Sequence, residues 1–120
     1  RIKLGLQDTL FVGNLDARRD FTDVRDTVRA YVALAERGRP GRIYNVCSGH
    51  ARVMRELLDG LITLSRVPVT VQLDPERLRP NDTPLLLGNP SRMATEVGWK
   101  PEIPFGQTLQ DLLDYWRHAC

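Results

Sequence analysis

The sequence has 120 residues, 42% of them hydrophobic and 27% charged, a globular composition that excludes a disordered chain and amounts to one domain's worth of protein. Seventeen basic residues against fifteen acidic ones leave a formal net charge of +2, too small to mark a nucleic-acid binder. No apolar run approaches the roughly 20 residues of a membrane span.

The chain opens Arg1-Ile2-Lys3, with neither a methionine nor the apolar stretch of a signal peptide. Ile2, Leu4 and Leu6 read as the end of an element whose start lies upstream. A piece of a longer protein is one reading of this opening; an engineered start is the other. Residues 8–13 read as a short strand closed by glycine, and Arg18 to Phe21 extends again. Thr22 or Asp23 then caps a helix over 23–37, with Val24, Val28, Tyr31, Val32 and Ala35 on one face as its core-facing stripe. Asp23 and Asp26 suit the first turn, where the helix dipole favours anions. Gly38 ends the helix.

Arg42 to Cys47 reads as a strand buried on both faces, because its apolar stretch is continuous. A second helix is expected from about Arg52 to Ser65, with Val53, Leu57, Leu58, Leu61 and Ile62 buried. Val69 to Leu73 reads as an edge strand, and Asp74 to Pro84 as a proline-rich loop. Asn89-Pro90 starts a brief helix that Gly98 stops, with Trp99 packing back on it. The last helix spans about Phe105 to Arg117, with Leu109, Leu112, Leu113 and Trp116 inside. This order gives an α/β fold: a single small lobe over residues 1–120, with three strands and several helices.

Two cysteines, Cys47 and Cys120, cannot make a disulfide framework, and such usage suits a cytoplasmic protein. Cys47 reads as a small core thiol. The sequence has no glycine-rich dinucleotide turn, no Walker loop and no nucleophile elbow. No tyrosine is followed four residues later by lysine. No catalytic residue is therefore assigned, and no metal site or bound cofactor is expected for this chain.

Arginine is what the loops do offer. Arg18 and Arg19 precede a helix N-terminus, while Arg77 and Arg79 lie in the proline-rich loop with Asp82 beyond them. A planar guanidinium suits phosphate. An arginine from each region could grip a diphosphate, and the carboxylate could accept a ribose hydroxyl. Taken alone, these residues read more readily as solvated arginines of an arginine-rich surface.

Several motifs stand in a familiar order. Gly13-Asn14-Leu15-Asp16-Ala17-Arg18-Arg19-Asp20-Phe21-Thr22-Asp23-Val24-Arg25-Asp26, Tyr44-Asn45-Val46-Cys47-Ser48-Gly49, Arg79-Pro80-Asn81-Asp82, Gly88-Asn89-Pro90-Ser91-Arg92 and Gly98-Trp99-Lys100-Pro101 resemble the carboxy-terminal region of extended short-chain dehydrogenase/reductases that act on nucleotide sugars. The branch handling GDP-mannose is nearest. Phe21-Thr22 after Arg19-Asp20 leans toward the GDP-4-keto-6-deoxymannose reductases over the GDP-mannose 4,6-dehydratases.

The resemblance implies a substrate-binding lobe without the cofactor-binding sheet, belonging to an enzyme that uses NADP or NAD. It implies that Arg19 and Arg79 meet the diphosphate of a GDP-sugar and that Asp82 meets the ribose. It places Leu10, Val12 and Met54 near the base, although these three also read as ordinary core residues. The amino-terminal Rossmann portion would be the natural partner of this piece. Without it, the helix 23–37 and the strand around Tyr44 would lack neighbours, so self-association into a homo-oligomer is expected. Neither a nucleic-acid nor a membrane partner is expected.

Overall fold

A computed structural model describes residues 7–80 and 82–119. The expected element at Ile2, Leu4 and Leu6 lies outside them, as do Asn81 and Cys120. Five short strands, β1 (Thr9–Val12), β2 (Arg18–Asp20), β3 (Ala51–Val53), β4 (Thr70–Leu73) and β5 (Leu85–Leu86), accompany three helices, α1 (Val24–Arg37), α2 (Met54–Ser65) and α3 (Phe105–Ala119). The class is mixed α/β, with more and shorter strands than the sequence suggests.

β1 and β4 pair in parallel, Thr9 opposite Thr70 through Val12 opposite Leu73. A second sheet has the order β3-β2-β5, with β2 antiparallel to β3 and parallel to β5. The strand expected over Arg42–Cys47 is absent: the segment is irregular and Ile43 is 78% exposed. A strand exists only where a neighbour supplies the other half of its hydrogen bonds, and no described strand runs beside this one. Side chains serve part of its backbone instead: Arg92 Nη1 donates to the Ile43 carbonyl at 2.6 Å.

The helices stand where the periodicity places them, but their faces do not. On α1 the buried residues are Asp26, Ala30 and Ala33, whereas Val24, Val28, Tyr31 and Val32 are exposed, as is Ala35. The expected stripe is real, but none of the described residues covers it. α2 has no fully buried residue, and Val53 belongs to β3. On α3 Leu109 is buried while Leu112 and Trp116 are exposed. The buried apolar cluster is small and gathers Ala30, Ala33, Met93, Val97 and Trp99. The short turn Met93–Val97 packs Met93 and Val97 into it and ends at Gly98, whose φ of 72° is left-handed backbone that glycine adopts without strain. Trp99 packs back as expected.

The molecule is a slab of 51 × 36 × 18 Å with a radius of gyration of 17.4 Å, against about 14 Å for a compact domain of this length. Polar ties hold it together. Asp26, 1% exposed, accepts from Arg29 Nη2 at 2.7 Å and from the Glu102 and Ile103 amides at 3.0 Å each, while its carbonyl takes the Trp99 indole N–H at 3.1 Å. Asp23 caps α1 through the Arg25 amide, binds the Arg25 guanidinium and accepts from the Thr108 hydroxyl at 2.7 Å, joining α1 to α3.

For Asp26, burial works to raise the carboxyl pKa, but Arg29 and the two amides outweigh it and hold it below the ordinary value. The Arg25 bonds lower Asp23. A depressed folded pKa contributes stability that is present above the unfolded value of about 3.9 and lost as pH falls through the folded one. Urea midpoints should therefore drop as pH goes from about 5 toward 2, and Asp26→Asn should flatten that slope. Asp26→Ala, which leaves two amides and a guanidinium without their acceptor, should cost about 3 kcal/mol in equilibrium unfolding at neutral pH.

Candidate functional site: an arginine-lined cleft

β1 and β4 run in the same direction, so both deliver their following loops to one end of their sheet. Crevices outside the carboxyl ends of parallel strands are where α/β proteins bind ligands. The loop after β1 carries Gly13 and Asn14. The Asn14 side chain accepts from the Asp16 amide at 2.9 Å, folding the chain back toward β2. The loop after β4 begins at Asp74, whose amide donates to the Val12 carbonyl at 2.8 Å. Its first turn, Pro75–Arg77, is a 3-10 turn capped by the Asp74 carboxylate through the Glu76 amide. The two loops touch at Gly13: a Cβ there would stand 2.7 Å from the Arg77 carbonyl oxygen, so a larger residue would force them apart.

Between these loops and the start of α2 lies a cleft of about 280 Å³ lined by Asn14, Ala17, Arg19, Met54, Arg77, Arg79 and Asp82. The lining side chains carry three positive charges and one negative. Arg19 reaches across from β2. Its Nη2 lies 2.7 Å from Asp82 Oδ1, and its Nη1 donates to the Thr83 and Arg18 carbonyls at 2.7 and 2.9 Å. Asn14 Nδ2 donates to the other Asp82 oxygen at 2.8 Å. Asp82 is thus held at both oxygens, each keeping acceptor capacity for a further donor. Arg19 keeps its Nε hydrogen and one Nη2 hydrogen uncommitted. Arg79 makes no hydrogen bond or ion pair among the described residues.

The backbone around this cleft is fixed by a second carboxylate. Asp20, next to Arg19, accepts from the Ser48 amide and hydroxyl at 2.8 and 2.5 Å, from the Gly49 amide at 2.9 Å and from the Gly88 amide at 3.3 Å. Burial opposes its charge, and the Ser48 hydroxyl with these amides more than compensates, so its pKa is lowered. The Met54 and Arg55 amides at the start of α2 donate to the Ala17 and Leu15 carbonyls at 3.0 Å each. The helix start therefore holds the 15–17 loop and leaves those amides unavailable to a ligand.

Four of the six residues singled out in the sequence, Arg19, Arg79, Asp82 and Met54, come together here. Leu10 and Val12 do not line the cleft; they are half-buried on β1. Asn14 joins it without having been assigned a role, and Arg77 joins it as one of the loop arginines already considered for a diphosphate. Asn14 lay inside the quoted Gly13–Asp26 run and Arg77 among the loop arginines, but their convergence depends on the loop contact at Gly13. Cys47 is half-buried, not a full core thiol; burial first, and Asp20 second, raise its pKa and keep it protonated.

With this geometry in view, the chain belongs to the family described as GDP-mannose 4,6 dehydratase, which it matches over residues 1–112. It is 40% identical to the GDP-6-deoxy-D-mannose reductase of Pseudomonas aeruginosa over 97% of its own length and 38% of that protein's. It is 30% identical to the GDP-mannose 4,6 dehydratase 1 of Arabidopsis thaliana over 95% of its length and 32% of that protein's. Among solved structures it resembles RMD from Pseudomonas aeruginosa complexed with NADPH, with a TM-score of 0.92, 37% identity and coverage of 100% of this chain and 40% of that one. The chain thus spans about two fifths or less of the length of these relatives. Its fold is that of the carboxy-terminal part of extended short-chain dehydrogenase/reductases, including a UDP-glucose 4-epimerase from Bifidobacterium longum at TM-score 0.82 and 21% identity. Among the described residues no helix is long and apolar enough to cross a membrane.

The Arg19–Asp82 pair is about a quarter exposed on each side, so its removal should be mild. Asp82→Ala should cost about 1 kcal/mol in unfolding measurements. It should also speed hydrogen exchange at the Arg18 amide, which donates to the Pro84 carbonyl at 2.8 Å and reports whether the 82–84 segment stays against β2.

Proposed function

We propose that this chain is the nucleotide-sugar-binding portion of an NAD(P)-dependent GDP-4-keto-6-deoxymannose reductase. The observation that carries the reading is the cleft. Arginines from β2 and from the loop after β4 line one cleft beside a doubly held carboxylate, a donor and acceptor set suited to a doubly charged pyrophosphate and its ribose. In this reading Arg19 and Arg79 meet the diphosphate and Asp82 accepts from the ribose. Met54 lies against the base, with Leu10 and Val12 behind it on β1. The 40% identity to a GDP-6-deoxy-D-mannose reductase supports the GDP-sugar as ligand. A cleft of about 280 Å³ sits just below the about 300–1,000 Å³ of complete ligand pockets, which supports a site finished by further protein surface.

The described residues offer a nicotinamide dinucleotide no glycine-rich turn between strand and helix. β1 leads through Gly13 into a loop and another strand, not into a helix, so no dinucleotide-binding turn forms. The cofactor and the chemistry of hydride transfer belong, in this reading, to the Rossmann portion of a longer, cytoplasmic protein. The exposed apolar face of α1 and the unpaired segment 42–47 are the surfaces that portion would cover. Left uncovered, they favour self-association into a homo-oligomer. A second reading, a portion of a GDP-mannose 4,6-dehydratase, is favoured by the family description itself and by the 30% identity to the Arabidopsis dehydratase.

Calorimetric titration with GDP, and with UDP as control, tests the site. Saturable binding that prefers GDP and weakens at least tenfold in Arg79→Ala is expected, and equal affinity for the two nucleotides would sink the assignment. Mixing with an amino-terminal Rossmann portion of a family reductase should restore reduction of a GDP-4-keto-6-deoxyhexose. Restoration of dehydration of GDP-mannose instead would select the second reading, and binding with no restored turnover would leave a free-standing nucleotide binder.

A further inference from the structure

We infer that Arg77 is a third anion-gripping residue of the cleft, its guanidinium oriented by Asp74; this rests on the nucleotide reading above. Nothing in the motif pattern assigns Arg77 a role. Its place in the structure does.

Arg77 lines the cleft with Arg19 and Arg79, and its Nε donates to Asp74 Oδ2 at 3.0 Å. Both Nη atoms carry no hydrogen bond to protein among the described residues. Asp74 is itself fixed: its Oδ1 takes the Glu76 amide at 3.0 Å, its carbonyl takes the Arg77 amide at 3.0 Å and its own amide is tied to β1. A guanidinium held at Nε by an immobile carboxylate presents its two Nη groups as a fixed fork, the geometry that meets two phosphate oxygens at once. The backbone of Arg77 is pinned as well, because its carbonyl sits against Gly13.

Donor supply points the same way. Arg19 has given three of its five hydrogens to Asp82, Thr83 and Arg18. The Nη groups of Arg77 keep four hydrogens, so Arg77 offers the cleft more oriented donors than Arg19 does. Arg79 has all five hydrogens free among the described residues but nothing to orient it. Arg77 lies on the turn that leaves β4, its carbonyl against Gly13 and so beside Asn14. The rival account is an exposed i,i+3 ion pair with no further role.

Guanosine, GMP and GDP titrated into the full chain and its variants separate these accounts. Arg77→Gln is expected to weaken GDP by about ten- to thirty-fold, the effect of a charge-assisted contact, to weaken GMP as well and to leave guanosine unchanged. Arg77→Lys should recover part of the GDP affinity. Asp74→Asn, which frees the guanidinium without removing it, should weaken GDP by a few-fold in the same ligand order. GDP affinity in Arg77→Gln within twofold of the parent would overturn the inference and leave the nucleotide reading standing, provided Arg79→Ala still weakens GDP. Equal losses for all three ligands would mean a structural role for the turn and would also overturn it. No GDP binding by the unsubstituted chain would overturn both.

Discussion

The carboxylate of Asp26 is the interaction on which the fold most depends. It joins α1 to the segment before α3 through two backbone amides and Arg29, while its carbonyl seats Trp99, the largest fully buried side chain. Asp23, three residues earlier, joins α1 to α3 directly, and Asp20, three earlier again, joins β2 to the turns at Ser48–Gly49 and Gly88. Each of these acids receives three or more donors, so burying its charge is compensated within the structure. A slab 18 Å thick has room for few wholly buried apolar side chains. Three carboxylates spaced three residues apart supply the cross-links that a thicker core would otherwise provide.

The same acids carry order into the cleft. Asp20 fixes β2 one residue from Arg19, and its bond to Gly88 fixes the chain just beyond β5. β2 and β5 pair with Arg19 opposite Leu86, and the Arg18 amide holds the Pro84 carbonyl, so the segment bearing Asp82 and Thr83 runs directly into chain fixed against β2. Arg19 then closes that segment with charged and neutral bonds at 2.7 Å. A ligand meeting Asp82 finds it already oriented, and ordering costs already met in the free protein do not detract from affinity.

How much of this was legible in the sequence divides along a physical line. The spacing Val24, Val28, Tyr31, Val32 correctly announces a helix and its apolar face, since both are local properties of a 3.6-residue period. It does not say whether the face has a partner in the same chain, and here none of the described residues covers it. Arg42–Cys47 fails for the same reason: apolar content marks a segment able to pair, while pairing needs a second strand. Asp23 and Asp26 read as first-turn acids answering the helix dipole, because their partners lie more than seventy residues away, at Thr108, Glu102 and Ile103. The arginine cleft was legible as a set, through motif order, for Arg19, Arg79, Asp82 and Met54. Asn14 was not, and Arg77 only as one of the loop arginines outside the motifs, because only the contact between two loops at Gly13 brings them to the same place.

Holding the molecule together with carboxylates has a consequence for its surface. Val24, Val28, Tyr31, Val32 and Ile43 are exposed by half or more, yet none of the ties through Asp20, Asp23 or Asp26 passes through them. Internal cohesion and the apolar face are therefore separable. A polar substitution at Val28 or Tyr31 removes no buried contact of the kind that stabilises α1, whose inner side is Asp26, Ala30 and Ala33. The face contributes to what the chain can adhere to, and the carboxylates contribute to what it is. The arginine cleft belongs to the second group, because its walls hang from β1, β2 and β4 and from the Asp20 and Asp74 bonds, so its geometry is set without reference to whatever covers α1.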